Sequence, residues 1–99
     1  MATISRHIIV KAPRGKEAEI ERLWKQDCAP LMIKRPGCLR EELLHCREDP
    51  TEYISISEWE SDQAIQDYLK SPEYETIKQH TRGLTGVAAE VKSYELVGG

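Results

Sequence analysis

Apolar residues follow two different spacings along the first third of the chain. β-branched and aliphatic residues dominate residues 3–11, and the turn-forming residues 12–15 end this predicted strand. From Ile20 to Met32 the apolar side chains recur at the i, i+3, i+4 spacing of one helical face. The pattern predicts a strand followed by a long amphipathic helix, with a kink at Pro30, which lacks a backbone donor.

Residues 38–47 and 52–59 are predicted to form two strands, because a connection short enough for a hairpin joins them. The consecutive charged residues 40–42 suit an exposed edge strand. The apolar content of the second segment, from Tyr53 to Trp59, suits a strand in the centre of a sheet.

A second helical region follows, and the sequence predicts it in two pieces. Ser61 provides an N-cap for the first piece. Ser71 provides a second N-cap, and Pro72 after it is favoured at a first helical position. Apolar residues return over 87–97, which is the last predicted strand.

The order of these elements is βαββαβ, which indicates an α+β fold of the ferredoxin-like type, an antiparallel sheet with helices on one face. The strands carry apolar residues on both sides of the pleat, so the opposite face needs a cover. A second copy of the chain would supply it, and we expect a homodimer that forms a dimeric α+β barrel. Residues 1–99 contain no linker-like stretch and are interpreted as one domain.

Charge and composition exclude several partners. A formal net charge of -3 offers no basic surface for nucleic-acid phosphates or anionic lipids. The N-terminal residues lack an apolar leader, and no stretch approaches the roughly 20 apolar residues of a membrane span. We therefore expect a cytoplasmic protein that binds neither nucleic acid nor membrane. The three cysteines have no metal-binding spacing and are expected to be free thiols.

No established catalytic motif occurs, and the three histidines are too scattered to form a metal site. Aromatic and hydrogen-bonding side chains instead collect where the central strand meets the broken helix: Trp59, Tyr68, Tyr74 and His80. Such a group is typical of an apolar pocket that stacks a planar aromatic substrate and hydrogen-bonds its oxygens. The alternative interpretation is that these are ordinary core or rim side chains.

Arg6, His7 and Lys78 are further candidates for substrate binding. Arg6 and His7 are neighbours on the first strand, so they have opposite faces and at most one of them points at the helices. On the helical wheel, Lys78 and His80 lie on either side of the stripe that contains Tyr74. The alternatives are a surface or interface salt bridge for Arg6 and solvated rim positions for Lys78 and His80.

The segment from Glu58 to Tyr74 resembles the central signature of the antibiotic-biosynthesis monooxygenase family. In that family a strand ending in a Glu–Trp pair leads to a capped helix and then to a Ser-Pro restart, as residues 58–74 do here. Residues 35–38, Arg-Pro-Gly-Cys, resemble the family's approach to its second strand. The resemblance spans residues 3–97 and implies the dimeric α+β barrel.

The resemblance also implies a choice of activities. Some members oxidise anthrones or quinols with dioxygen and need neither metal nor flavin, and others cleave haem. Haem-degrading members use an Asn on the first strand, a Trp before the helix break and an iron-binding His after it. The matching positions here hold Ile8, Tyr68 and Lys78, and none of the three agrees. Haem degradation is therefore disfavoured, while haem binding through another ligand stays open.

The leading hypothesis is thus a homodimeric, cofactor-independent monooxygenase acting on a small aromatic or quinol-type molecule. In this hypothesis Trp59 and Tyr74 are pocket walls and Tyr68 donates a hydrogen bond. A tyrosine with a pKa of about 10 is a poor base, so His80 or His7 is the candidate proton acceptor. The alternatives are a non-catalytic dimer that binds haem, a quinone or another hydrophobic ligand, and a structural dimer without a ligand.

Overall fold

The structure is a computed structural model that describes residues 3–81 and 90–98, except for the side chains of residues 80 and 81. Its strands are β1 Ile4–Lys11, β2 Cys38–His45, β3 Glu52–Trp59 and β4 Glu90–Glu95. Its helices are α1 Glu17–Leu23, α2 Ala29–Met32, α3 Asp62–Leu69 and α4 Pro72–Thr81, with a π-helical turn at Trp24–Cys28 between the first two. The βαββαβ order and the ferredoxin-like α+β fold are therefore confirmed.

The strands form an antiparallel sheet in the order β2-β3-β1-β4. β2 lies at an edge, as its charged residues predict, and β3 lies in the interior, as its apolar content predicts. The last strand is shorter than the predicted range 87–97, and residues 87–89 lie outside the described part of the chain.

The first helical region is interrupted by the π-helical turn, in which the backbone N–H of Ala29 bonds to the carbonyl of Trp24. Pro30 accounts for the irregularity, because it has no N–H to donate and its ring would collide with a carbonyl one turn earlier. The wider turn accommodates the ring, and Pro30 then lies in the first turn of α2, where proline is tolerated. The predicted kink is thus a local expansion of the helix.

The second helical region is broken as predicted, and two serines define the break. The Ser61 hydroxyl accepts a hydrogen bond from the Ala64 N–H at 3.2 Å, which caps α3. The Ser71 hydroxyl accepts from the Tyr74 N–H at 3.2 Å and donates to the Tyr68 carbonyl at 2.6 Å. Ser71 therefore joins the end of α3 to the start of α4.

The core lies between the helices and one face of the sheet, here called the inner face. The inner positions of β3 are Tyr53, Ser55, Ser57 and Trp59, and all four are buried. The largest apolar cluster joins Trp59 to buried side chains of the helices, among them Leu23, Met32, Ile65, Tyr68 and Ile77. The helices are thereby fixed over the inner face.

The opposite, outer face of the sheet is open in the single chain. Ile9, Ile54 and Leu44 are register partners on three neighbouring strands, so they form an apolar patch on this face. Leu44 and Tyr94 are each about half exposed there, at 48% and 49%. None of the helices in the described residues is long and apolar enough to cross a membrane. Cys28, Cys38 and Cys46 are free thiols, as predicted.

Candidate functional site

A cavity of about 230 Å³ lies between the inner face and the helices. The sequence leaves room for this space on the inner face of β3, where the small Ser55 follows the large Tyr53 in the cavity wall. Most of the wall is apolar. Its central side chains are Arg6, Ile8 and Ser55 from the sheet, and Trp24, Tyr68 and Tyr74 from the helices.

Tyr68 and Tyr74 approach each other from the two sides of the helix break. Their ring centroids are 5.1 Å apart and their planes are at 62°, an edge-to-face arrangement. Tyr68 is only 1% exposed, and burial raises the pKa of its hydroxyl although Arg6 nearby lowers it. The Tyr68 side chain therefore stays a neutral phenol at neutral pH and keeps a proton that it can donate in a hydrogen bond.

Trp59 packs against Tyr68 without lining the cavity itself. The ring is fully buried, and its centroid lies 5.1 Å from that of Tyr68. Trp59 is not among the described residues of the cavity wall. The structure therefore gives it a supporting position, in which it fixes the Tyr68 ring, rather than the predicted wall position.

Lys78 lies in the cavity wall and is about half exposed, which places it at the mouth. Its ammonium lies 5.0 Å from the Tyr74 ring centroid and 2.9 Å from the Glu75 carboxylate. The backbone of His80 belongs to α4, but its side chain lies outside the described residues. The predicted role of His80 as proton acceptor therefore stays a prediction.

His7 and Arg6 have opposite faces, as predicted, and Arg6 is the one that faces the helices. His7 lies on the outer face, where a ring nitrogen is 2.9 Å from the Ser5 hydroxyl and the ring contacts Tyr94 at 4.6 Å. His7 is thus separated from the cavity by the sheet, and we leave it out of the proposed site.

Arg6 belongs to a polar row that crosses the inner face of the sheet. The register places Glu41, Ser57, Arg6 and Ser93 side by side on the four strands. Arg6 is 6% exposed, and its Nη1 atom has no hydrogen-bond partner among the described residues. A permanently charged guanidinium with an unsatisfied donor therefore forms part of a mostly apolar wall.

Glu41 is the main departure from the sequence-based expectation. Residues 40–42 were expected to be an exposed charged edge, and β2 is indeed an edge strand, but alternation points Glu41 inward between the outward-facing Arg40 and Glu42. Burial raises the pKa of Glu41 to about 8, although Arg6 and Ser57 favour its ionised form. Among the described residues no hydrogen bond of good geometry reaches either carboxylate oxygen, so the effect of the Ser57 hydroxyl on the pKa is smaller than that of burial. Glu41 is therefore mostly protonated at neutral pH.

Trp24 and Ser55 are wall residues that the sequence did not single out. The indole N–H of Trp24 donates to the Ser55 hydroxyl at 3.2 Å, which holds the Trp24 ring against the sheet. The sequence signal that could have found Ser55 is the period of two along β3, which places Tyr53, Ser55, Ser57 and Trp59 on the same face of the sheet. Cys28 also lines the cavity, and burial raises its pKa to about 11, so it is not a thiolate nucleophile at neutral pH.

The wall does not fit the requirements of haem degradation. The position of the iron-binding histidine holds Lys78, whose charged ammonium has no lone pair for iron. The position of the helix tryptophan holds Tyr68. In the described residues no three potential metal ligands come together.

Fold and site together define an α+β protein of the ferredoxin-like class with an aromatic-walled cavity beneath its helices. The chain belongs to the antibiotic biosynthesis monooxygenase family, whose sequence pattern matches residues 3–80. This confirms the resemblance seen at residues 58–74.

Solved structures share the fold over nearly the whole chain. A "putative antibiotic biosynthesis monooxygenase" from Bordetella bronchiseptica has a TM-score of 0.90 at 20% identity, and the match covers 98% of this chain and 99% of that one. A protein of the same description from Caulobacter crescentus has a TM-score of 0.85 at 18% identity, with 98% and 92% covered. A conserved protein from Methanosarcina mazei has a TM-score of 0.84 at 18% identity, with 95% and 92% covered. At these identities the likeness shows the fold alone. No curated protein matches the chain.

Proposed function

We propose that this protein is a monooxygenase that oxidises a small aromatic or quinol-type molecule with dioxygen, without a bound cofactor. Family membership supports monooxygenase chemistry in general terms. The observation that supports this substrate class is the mostly apolar cavity in whose wall Tyr68 and Tyr74 contact each other. Such a wall stacks a flat ring and offers hydrogen bonds to its oxygens.

The size of the cavity restricts the substrate. An apolar protein cavity of about 150 Å³ accommodates benzene. The cavity here, about 230 Å³, is therefore suited to one or two fused rings. Three-ring anthrones would need the mouth near Lys78 to open, so naphthoquinols and catechols are the better candidates.

The chemistry requires little from the protein. A phenol that has lost its proton is electron-rich enough to pass an electron to dioxygen. When a quinol becomes a hydroxyquinone, one oxygen atom of dioxygen enters a ring C–H bond to give C–OH, and the other leaves as water with the two hydroxyl hydrogens of the quinol. The substrate therefore supplies all four electrons. The protein has to orient the ring, accept the phenolic proton and exclude water.

These tasks can be assigned to side chains of the cavity wall and to His80 on α4. Tyr68 donates a hydrogen bond to a substrate oxygen, because its raised pKa keeps the proton on the hydroxyl. Tyr74 and Trp24 enclose the ring, and Lys78 lies at the mouth. His80 is the proposed proton acceptor, since an imidazole titrates closest to neutral pH.

We also propose that the protein acts as a homodimer whose subunits cover each other's outer faces. The patch of Ile9, Ile54 and Leu44 with the half-exposed Tyr94 supports this arrangement. Such a patch on an uncovered sheet face is typical of an interface with a second sheet.

Oxygen uptake tests the proposed activity. The purified protein should consume oxygen with a naphthoquinol or a catechol. Tyr68→Phe should slow turnover by raising the activation free energy by about 1–3 kcal/mol, the usual effect of losing a buried hydrogen-bonding partner. Tyr94→Phe is the matched control, because it removes the same hydroxyl from the outer face. No uptake with any one- or two-ring phenol would leave a non-catalytic ligand binder as the function. Equal loss in both variants would contradict the role of Tyr68.

A further inference from the structure

Arg6 occupies a position where a charged side chain is unfavourable without a partner. It lies on β1 in the interior of the sheet, and its register neighbours are Ser57 on one side and Ser93 on the other. These are hydroxyl groups rather than carboxylates, so the neighbouring strands provide no counter-charge at this level. Arg6 is 6% exposed and faces the cavity.

The guanidinium is charged at every accessible pH and carries five N–H donors. Its Nη1 atom is buried and has no hydrogen-bond partner among the described residues. An unsatisfied buried donor is unfavourable, and more so when the group is charged. An acceptor that enters the cavity would remove this unfavourable state, and an anionic acceptor would remove most of it.

Glu41 does not take the role of that acceptor. It lies on the far side of Ser57 in the polar row, and the absence of hydrogen bonds at both of its oxygens excludes a direct bond to Arg6. Because burial raises its pKa to about 8, Glu41 is mostly neutral at pH 7. The positive charge of Arg6 therefore stays available to a ligand.

Tyr68 adds a second donor to the same cavity. Both residues lie in the cavity wall, and the positive charge of Arg6 lowers the pKa of the Tyr68 hydroxyl, against the larger effect of burial. A wall that holds a guanidinium and a neutral phenol together with Ile8 and Tyr74 suits a flat apolar molecule that ends in one oxyanion.

We propose that Arg6 is the anion-binding residue of the cavity, and that the ligand is a one- or two-ring aromatic molecule with an anionic oxygen, a carboxylate or a phenolate, placed on the guanidinium. The proposal rests on the proposed function for its site and goes beyond it in the ligand's charge. For a phenolic substrate, Arg6 stabilises the deprotonated form, which is the form that reacts with dioxygen.

Binding without turnover tests the proposal. 2-Naphthoate and 2-naphthamide have the same ring system and nearly the same shape, but only the first carries a charge. Calorimetric titration in the absence of oxygen should show that the wild-type protein binds the naphthoate about 10- to 100-fold more tightly, the range expected for a hydrogen bond to a charged group. Equal binding of the two probes, tighter binding of the amide, or binding of neither would overturn the proposal.

A second pair of variants locates the charge. Arg6→Met should abolish the preference for the naphthoate, whereas Lys78→Met removes a cation at the mouth and should keep it. The opposite result would assign the anion to Lys78 and overturn the proposal. If Arg6→Met does not fold, Arg6→Lys replaces it: the ammonium should retain part of the preference but lose affinity, because it lacks the planar pair of donors.

A spectroscopic probe needs no variant and separates the phenolate from the carboxylate. 4-Nitrophenol changes colour when it ionises, so its pKa can be read while it is bound. Binding on Arg6 should lower that pKa by about one to three, as an adjacent opposite charge does. If 2-naphthoate is preferred and the 4-nitrophenol pKa stays unchanged, the site accepts carboxylates only. A raised pKa would contradict the proposal. Neither experiment involves oxygen. The anion site can therefore be confirmed when oxygen uptake fails, and it can be refuted when oxygen uptake succeeds.

Discussion

Glu41→Gln should make the stability of the protein less sensitive to alkaline pH. In the wild-type protein burial raises the pKa of Glu41 from 4.5 to about 8. Between these values the folded protein keeps the proton, while the unfolded chain has already lost it. The free energy of unfolding therefore falls as pH rises through this window, and the whole loss is present above pH 8. Gln cannot ionise, so the variant lacks this loss.

The magnitude follows from the size of the shift. Each pKa unit corresponds to about 1.4 kcal/mol, so the full shift sets an upper limit of about 5 kcal/mol. Glu41 is only partly shielded from water, and Arg6 attracts its charge. We therefore expect the difference in free energy of unfolding between Glu41→Gln and wild type to shift in favour of the variant by about 2–3 kcal/mol from pH 5 to pH 9.

Urea denaturation at pH 5, 7 and 9 measures this difference. Glu42→Gln is the matched control, because Glu42 is the next residue on β2, faces outward and lies 3.4 Å from Arg40. Its effect on stability should change little over the same range. A Glu41→Gln effect that is constant with pH, or a variant less stable than wild type at pH 9, would refute the reasoning that Glu41 is desolvated.

Two further predictions concern the interface and a close backbone contact. Sedimentation at micromolar concentration should show a dimer that buries on the order of 2,000 Å², and Leu44→Asp on the outer face should convert it to monomer; a stable wild-type monomer would contradict the interface. Gly37→Ala should lower the free energy of unfolding by about 1–3 kcal/mol more than Gly15→Ala does. Both glycines have a positive φ, but a Cβ at Gly37 would lie 2.5 Å from the Ala64 Cβ, whereas one at Gly15 would meet nothing within 4 Å. Equal losses of stability in thermal or urea unfolding would show that Ala64 moves aside without strain.

Local signals were sufficient for much of the fold. The Ser71-Pro72 pair predicts the helix break because capping and a missing donor act within a few residues of the chain. The bounds 52–59 of the central strand agree with the structure because its period of two is regular. The separation of Arg6 from His7 follows from strand geometry alone.

The site was harder to predict because it depends on contacts between distant segments. The charged residues 40–42 look exposed in sequence, and only the pairing of Glu41 with Ser57 shows that its side chain points inward. The supporting position of Trp59 likewise depends on how Tyr68 packs in front of it. The cavity lies where Ser55 on β3 leaves space that the helices do not fill, and no sequence pattern reports unfilled volume.

The π-helical turn at Trp24–Cys28 affects how the chain is aligned with its relatives. Leu23 and Cys28 are both buried although they are five residues apart. In a regular α-helix that spacing would turn one of them about 140° away from the other. A relative with an uninterrupted helix can therefore match the phase of Glu17–Leu23 or of Ala29–Met32, but not of both. An alignment with such a relative needs a one-residue gap within this turn, and identities counted without the gap would understate the similarity of the two helices.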